Sequence, residues 1–222
     1  LYSNPLFVKY LGICFDAFDG SAYTITTNRR KVLKALLPNL KKYRSFDYTF
    51  HQSIRDHLPF YWAGFHQTNY YTYLMPLVGR TSDAIIGSVS ARLRNKIRSA
   101  LGNSDLSIDP EVDFSTFYTV NEKTFLRQGG TMPIKKQRLQ RLINVLKARN
   151  AVDLLGVRNE TGDVTCVLGV FYDDRTAYLV LNGYDEEKTT TGANEYLIMN
   201  SIDKAISRKL EYYDFEGSMM QS

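Results

Sequence analysis

Between Asp163 and Ser218 the hydrophobic positions change period twice. In DVTCVLGVFYDD both alternating sets are apolar: Val164, Cys166, Leu168 and Val170 on one face, Val167, Gly169 and Phe171 on the other. That pattern predicts a central strand buried on both sides. Asp173, Asp174 and Arg175 make a turn, and TAYLVLNGYDEE reads as the next strand. Then Ile198, Ile202, Ala205, Ile206 and Leu210 recur at helical spacing, which predicts about four turns with one core face. EYYDFEGS closes the stretch as a short strand.

Upstream, Asp113 is placed to cap a helix over Phe114 to Gln128, stopped by Gly129-Gly130. Thr131 and Pro133 start another, with Leu139, Leu142, Ile143 and Leu146 inward. AVDLLGVRN reads as a strand leading into a hairpin turn at Glu160-Thr161-Gly162-Asp163. The second half thus runs helix, helix, three strands, helix, strand.

The first half predicts a strand over Pro5 to Phe15 and a turn with a short extended piece over 20–27. A helix from Arg29 to Leu40 follows, capped by Asn28 and ended or kinked by Pro38. The alternation in FDYTFHQS predicts a strand, as does Thr72 to Leu77, and Asp83 is placed to cap a helix reaching about Ala100. The polar, turn-rich stretch 102–113 is the expected internal boundary. It separates domains at 1–101 and 102–222, both expected to be cut at their outer ends.

Composition is that of an ordinary globular chain. A net charge of +5 over 222 residues permits an anionic partner without requiring one. Cys14 and Cys166 sit in apolar runs and read as buried thiols, not as a disulfide framework. His51, His57 and His66 match no zinc spacing, and no metal site is expected. No apolar run reaches membrane-spanning length, and the chain is expected to be cytoplasmic. LPFYWAGFHQTNYYTYLMPL is read as a core-crossing loop or as the aromatic wall of a cleft. The basic helix end ARLRNKIRSA is a solvated face or a phosphate-contacting patch.

The order of the last seven elements resembles the GNAT acyltransferase fold. Lys188-Thr189-Thr190-Thr191-Gly192-Ala193 stands where that family carries a Gln/Arg-x-x-Gly-x-Gly/Ala turn, at altered spacing. PFYWAGF…YTYLMPL, ARLRNKIRSA, TFLRQGG and LNGYDEE…TGANEYLIMNSIDKA…YYDFEGS together resemble the Fem-type (FemAB-like) branch. The resemblance implies an α+β chain of tandem GNAT-like domains, with mixed, mostly antiparallel sheets flanked by helices. It implies an N-acyltransferase moving an acyl or aminoacyl group to an amine acceptor. Acyl-CoA or aminoacyl-tRNA would be the donor co-substrate, with no tightly bound cofactor. Fem-type enzymes use aminoacyl-tRNA and a peptidoglycan precursor, which makes tRNA a candidate partner.

The resemblance further implies a donor held where two central strands splay apart. Lys188, Asn182, Gly192 and Ala193 are the donor-binding candidates; a plain strand-to-helix turn uses the same glycine and alanine. Asp214 and Glu216, two apart on the last strand, share a face and are candidates to take the amine proton, or else are rim carboxylates. Tyr184 and Tyr196 are candidate acids or packed tyrosines. Arg127, Gln128, Trp62 and Tyr73 are candidates on the acceptor side. Two other classes stay open: a non-catalytic binding module on the same scaffold, and an RNA-binding protein whose cations form one surface.

Overall fold

The computed structural model describes residues 2–15, 18–40, 42 and 45–218. The expected cut ends, Leu1 and Ser222, lie outside them. The chain divides into two compact units, residues 1–69 and 70–222.

The first unit is built on one long helix, α1 (Ala22–Leu40). Its start corrects the expected extended piece. Ser21 Oγ accepts the Thr24 N–H at 3.2 Å, so Ser21 caps the helix seven residues before Asn28. Pro38 lies inside the last turn and does not end it. Pro5 to Phe15 is not a strand. Tyr2–Ser3 (β1) pairs in parallel with Phe46–Asp47 (β2); beyond β1 the Leu11 N–H bonds the Thr49 carbonyl at 2.9 Å without extending the strand, and Leu6 and Val8 are exposed. Ile13 and Phe15 lie against a small core of Leu33, Leu37 and Phe60, the last carried by α2 (Leu58–Trp62).

The second unit is a six-stranded sheet with helices on both faces. Its strands are β3 (Tyr71–Pro76), β4 (Ser107–Asp109), β5 (Val152–Arg158), β6 (Val164–Tyr172), β7 (Thr176–Tyr184) and β8 (Tyr212–Ser218), in the order β3-β8-β7-β6-β5-β4. Every pairing is antiparallel except β7 with β8. The expected boundary at 102–113 therefore does not divide the fold. Part of it is the edge strand β4, and residues 70–101, expected in the other half, belong to this unit. Turn-rich composition reflected an edge strand tied to β5 by an Arg158–Asp109 ion pair of 2.5 Å.

The one helix expected from Asp83 to Ala100 is two: α3 (Ser82–Ser88) and α4 (Ala91–Leu101). Thr81 Oγ1, not Asp83, accepts the first-turn N–H, and Val89 is extended. Ser90 then caps α4 by accepting the Leu93 N–H, so a second cap competes with helix continuation. Asp113 caps α5 (Phe114–Arg127) as expected, through the Thr116 N–H at 3.0 Å. α6 (Lys136–Lys147) begins after the expected Thr131-Pro133 start and buries Leu139 and Ile143.

β6 is apolar on both faces because it is covered twice. Cys166, Leu168 and Val170 join the core with α7 (Ala193–Ser207), while Gly169 faces Phe117 of α5. Leu197 and Ile202 of α7 are fully buried there, each contributing about 1.5–3 kcal/mol. No described helix is long and apolar enough to cross a membrane.

Candidate active site

β7 and β8 are neighbours for only three residues. Thr176, Ala177 and Tyr178 pair with Tyr212, Tyr213 and Asp214, and beyond that the strands separate. The separation has a local cause. Leu179 faces Val170 and Leu181 faces Gly169, so Val180 is an extra residue in β7, a bulge that bends the strand. From Val180 to Tyr184 the edge of β7 that faces away from β6 is not paired with β8. Backbone N–H and C=O groups on such an edge can pair with an extended ligand.

Asp214 stands at the apex of this gap. It is 1% exposed. Its Oδ1 accepts from the Thr72 hydroxyl at 2.5 Å and from the Glu216 N–H at 2.8 Å. Glu216 does not share its face in the expected way. Leu74 faces Asp214 and Thr72 faces Gly217, so β8 bulges between them, and Glu216 takes a left-handed backbone, φ 68°. A strand's alternation fails at a bulge, which re-aims the Glu216 side chain.

α5 covers the far end of β7. Gly183 permits this approach: a Cβ there would lie 2.8 Å from Asn121 Cα. Thr124 Oγ1 accepts the Tyr184 N–H at 3.0 Å and lies 3.1 Å from the Tyr184 carbonyl oxygen. One turn on, the Arg127 guanidinium stacks 4.1 Å from the Tyr184 ring centroid and reaches the Tyr184 carbonyl at 3.3 Å. Lys123 Nζ holds Asp185 Oδ2 at 2.6 Å, and this hydrogen bond keeps the Asp185 carboxyl below the usual carboxylate range. The strand end is thus clamped by three residues of one helical turn.

The donor-side candidates are dispersed. Asn182 is on β7, on the face toward α7, with its Oδ1 buried and without a hydrogen-bond partner among the described residues. Lys188 pairs with Asp163 at 3.1 Å. Gly192 precedes α7 with φ 89°, and a Cβ there would lie 2.6 Å from the Lys96 carbonyl oxygen of α4. Ala193 is fully buried, and Glu195 in the first turn pairs with Lys96 at 3.2 Å. Tyr196 is partly buried against the α7 core.

On the acceptor side, Arg127 is engaged by Tyr184 and by Glu186 at 3.7 Å, and Gln128 is the exposed C-cap of α5. Tyr73 is 68% exposed on β3. Trp62 lies in the first unit, 65% exposed, with Arg30 stacked 5.7 Å from its ring. Sequence reading missed Thr72, Asn121, Lys123, Thr124 and Asp185. The spacing of Lys123, Thr124 and Arg127 on one helix end was the available signal for the clamp; nothing in the sequence pointed to Thr72. Among the described residues no group of three or more His, Cys, Asp or Glu side chains is placed to hold a metal ion.

Residues 87–220, more than half of the chain, match the acetyltransferase (GNAT) domain family. Among solved structures the chain is similar to FemX, at 13% identity and TM-score 0.61, over 68% of this chain and 54% of that one. It is also similar to L-PGS from Bacillus licheniformis, at 12% identity and TM-score 0.57, over 87% of this chain and 61% of that one. The chain spans less than two thirds of either, and at these identities the likeness is one of fold. No curated protein matches it. The antiparallel strands, the bulged β7, the parting of β7 from β8 and the intervening helix agree with the family match, and the chain belongs to the acetyltransferase (GNAT) domain family, a family of acyltransferases.

Proposed function

We propose that the chain transfers an acyl or aminoacyl group from an activated carrier to an amine acceptor. The observation that carries this reading is the gap between β7 and β8, with a buried carboxylate at its apex. In this reading the donor lies along β7, its polar groups bonding to the outward backbone of Val180 and Asn182. Tyr184 is unavailable to it, because Thr124 already takes its N–H. The acceptor ammonium loses a proton to Asp214, and the amine nitrogen then attacks the acyl carbon. As the tetrahedral intermediate collapses, the bond to the carrier breaks and the carrier leaves with a proton. Tyr184 and Tyr196 are the candidate donors of that last proton.

A specific observation favours an aminoacyl carrier over acyl-CoA. In an acyl-CoA reading the start of α7 must present N–H groups to a pyrophosphate. Here the Lys96 carbonyl oxygen lies against Gly192, and the Glu195 carboxylate sits in the first turn. The carbonyl oxygen opposes an anion at that turn, and the Lys96–Glu195 pair adds no net positive charge to attract one. The fold likeness to FemX supports the same direction, and a peptidoglycan precursor is then a candidate acceptor. The test is binding of the full chain to acetyl-CoA and to aminoacyl-tRNA at two salt concentrations. Charged tRNA bound in a salt-dependent way, without micromolar acetyl-CoA binding, is expected. Micromolar acetyl-CoA binding would overturn the choice of donor. A folded protein that binds neither would favour a non-catalytic module.

A further inference from the structure

The first unit holds a cavity of about 440 Å³ beside α1, with Arg29 and Arg55 in its lining. We propose that this cavity binds an oxyanion, carboxylate or phosphate, carried on a small apolar body. The proposal concerns residues 1–69 alone and stands or falls independently of acyl transfer.

The argument begins with an unfilled valence. Arg29 Nε is buried and has no hydrogen-bond partner among the described residues. Burying a guanidinium N–H without an acceptor is unfavourable, and such a group marks a place where an acceptor belongs. Arg29 is held rigidly. Thr26, Arg29 and Leu33 follow one another at helical spacing on α1 and all line the cavity, and the Arg29 guanidinium stacks 5.2 Å from the Phe15 ring centroid. A guanidinium fixed by stacking keeps its fork pre-organised for an oxyanion.

Among the described residues the charge is not answered from within: Asp56 is the one acid in the described lining, and it belongs to another arginine. Arg30 Nε lies 2.5 Å from Asp56 Oδ2, while the Leu58 N–H bonds the other oxygen at 3.3 Å. The Arg30 contact holds the Asp56 carboxyl below the usual carboxylate range, so it stays an anion committed to Arg30. Arg29 and Arg55 have no ion-pair partner among the described residues. A cavity of this size lies within the range of small-molecule pockets and exceeds what one oxyanion fills. Phe15, Leu33 and Ile54 supply the apolar remainder of its wall, which is why the ligand carries an apolar body.

The test titrates the full chain with phenyl phosphate and with benzoate at millimolar concentration, following arginine Nε–H signals by nitrogen-15 NMR. A shifted Arg29 Nε–H signal is expected, with Arg29→Gln weakening binding about tenfold or more, the size of a lost charge-assisted pair. Lys34→Gln, in the lining of a separate groove on α1, changes binding less than about twofold. The tighter of the two probes identifies the oxyanion. An Arg29 signal unmoved by both probes overturns the proposal, and this reading on the unmodified protein does not depend on the variant folding. A folded Arg29→Gln protein that binds as tightly as the unmodified chain overturns it too.

Discussion

Thr124 Oγ1 touches both backbone groups of Tyr184, the N–H at 3.0 Å and the carbonyl at 3.1 Å, so one hydroxyl on α5 terminates the open edge of β7. Its single proton is shared with the Val120 carbonyl at 3.2 Å. Thr124→Val keeps the shape and removes the hydroxyl. It should destabilise the protein by roughly 1–3 kcal/mol, because the Tyr184 N–H is left without its acceptor. Thr124→Ser should recover most of that loss. Urea unfolding of the three proteins checks both statements.

Asp214 separates a chemical role from a structural one. In the acyl-transfer reading Asp214→Asn lowers kcat/KM by roughly 10²–10⁴-fold, the range of a lost general base. The amide can still accept from Thr72 and from the Glu216 N–H, so the thermal midpoint should move little by comparison. Activity retained in a folded Asp214→Asn protein would remove Asp214 from the reaction. Steady-state rates and a melting curve on the same preparation decide it.

Two glycines make opposite predictions. Gly183→Ala sets a methyl 2.8 Å from the Asn121 backbone, which cannot yield without moving α5. A loss of roughly 1–3 kcal/mol is expected. Gly87 lies in α3 with nothing within 4 Å of an added Cβ, so Gly87→Ala should stabilise by roughly 0.5–1 kcal/mol. Denaturant midpoints of the pair show whether close helix–strand contact, and not glycine as such, is what matters at Gly183.

The Lys123–Asp185 pair predicts a pH dependence. The Asp185 carboxyl is depressed by the Lys123 hydrogen bond, so its stabilisation is complete above the ordinary aspartate value of about 3.9. It is lost as pH falls through the lower, folded-state value. Asp185→Asn should therefore be less stable than the unmodified protein at pH 7, by roughly 1 kcal/mol given that Lys123 is half exposed. The difference should shrink as pH falls below the ordinary aspartate value, where the carboxyl comes to take up its proton. Urea midpoints at pH 7 and in that acid range test the sign. A gap that widens in acid would mean that the pair is not what holds the carboxyl down.

Much of the second unit was legible in the sequence because its elements are long and strongly periodic. α5, β5, β6, β7, α7 and β8 lie where the pattern put them, whereas the start of α6, the split between α3 and α4, and the edge strand β4 inside the expected boundary differ. Residues 20–27 were misread because Thr24, Ile25, Thr26 and Thr27 favour strands, whereas the Ser21 cap decides for helix. The run 5–15 was misread because a short apolar segment has no period that separates a strand from a packed loop. At the candidate site, Asp214 was visible as a carboxylate on a strand end. Its burial was not, since that depends on Thr72, 142 residues earlier in the chain.

That same span of 142 residues gives β8 a consequence in biosynthesis. β8 lies between β3 and β7, yet it is made after every other described strand of the sheet. Until it arrives, β3 has no neighbour in the sheet and β7 presents its edge along its whole length. Open edges of this kind recruit other chains. A nascent or truncated chain ending before Tyr212 should depend on holding partners to stay soluble, and β3 and β7 are joined only when β8 is inserted between them.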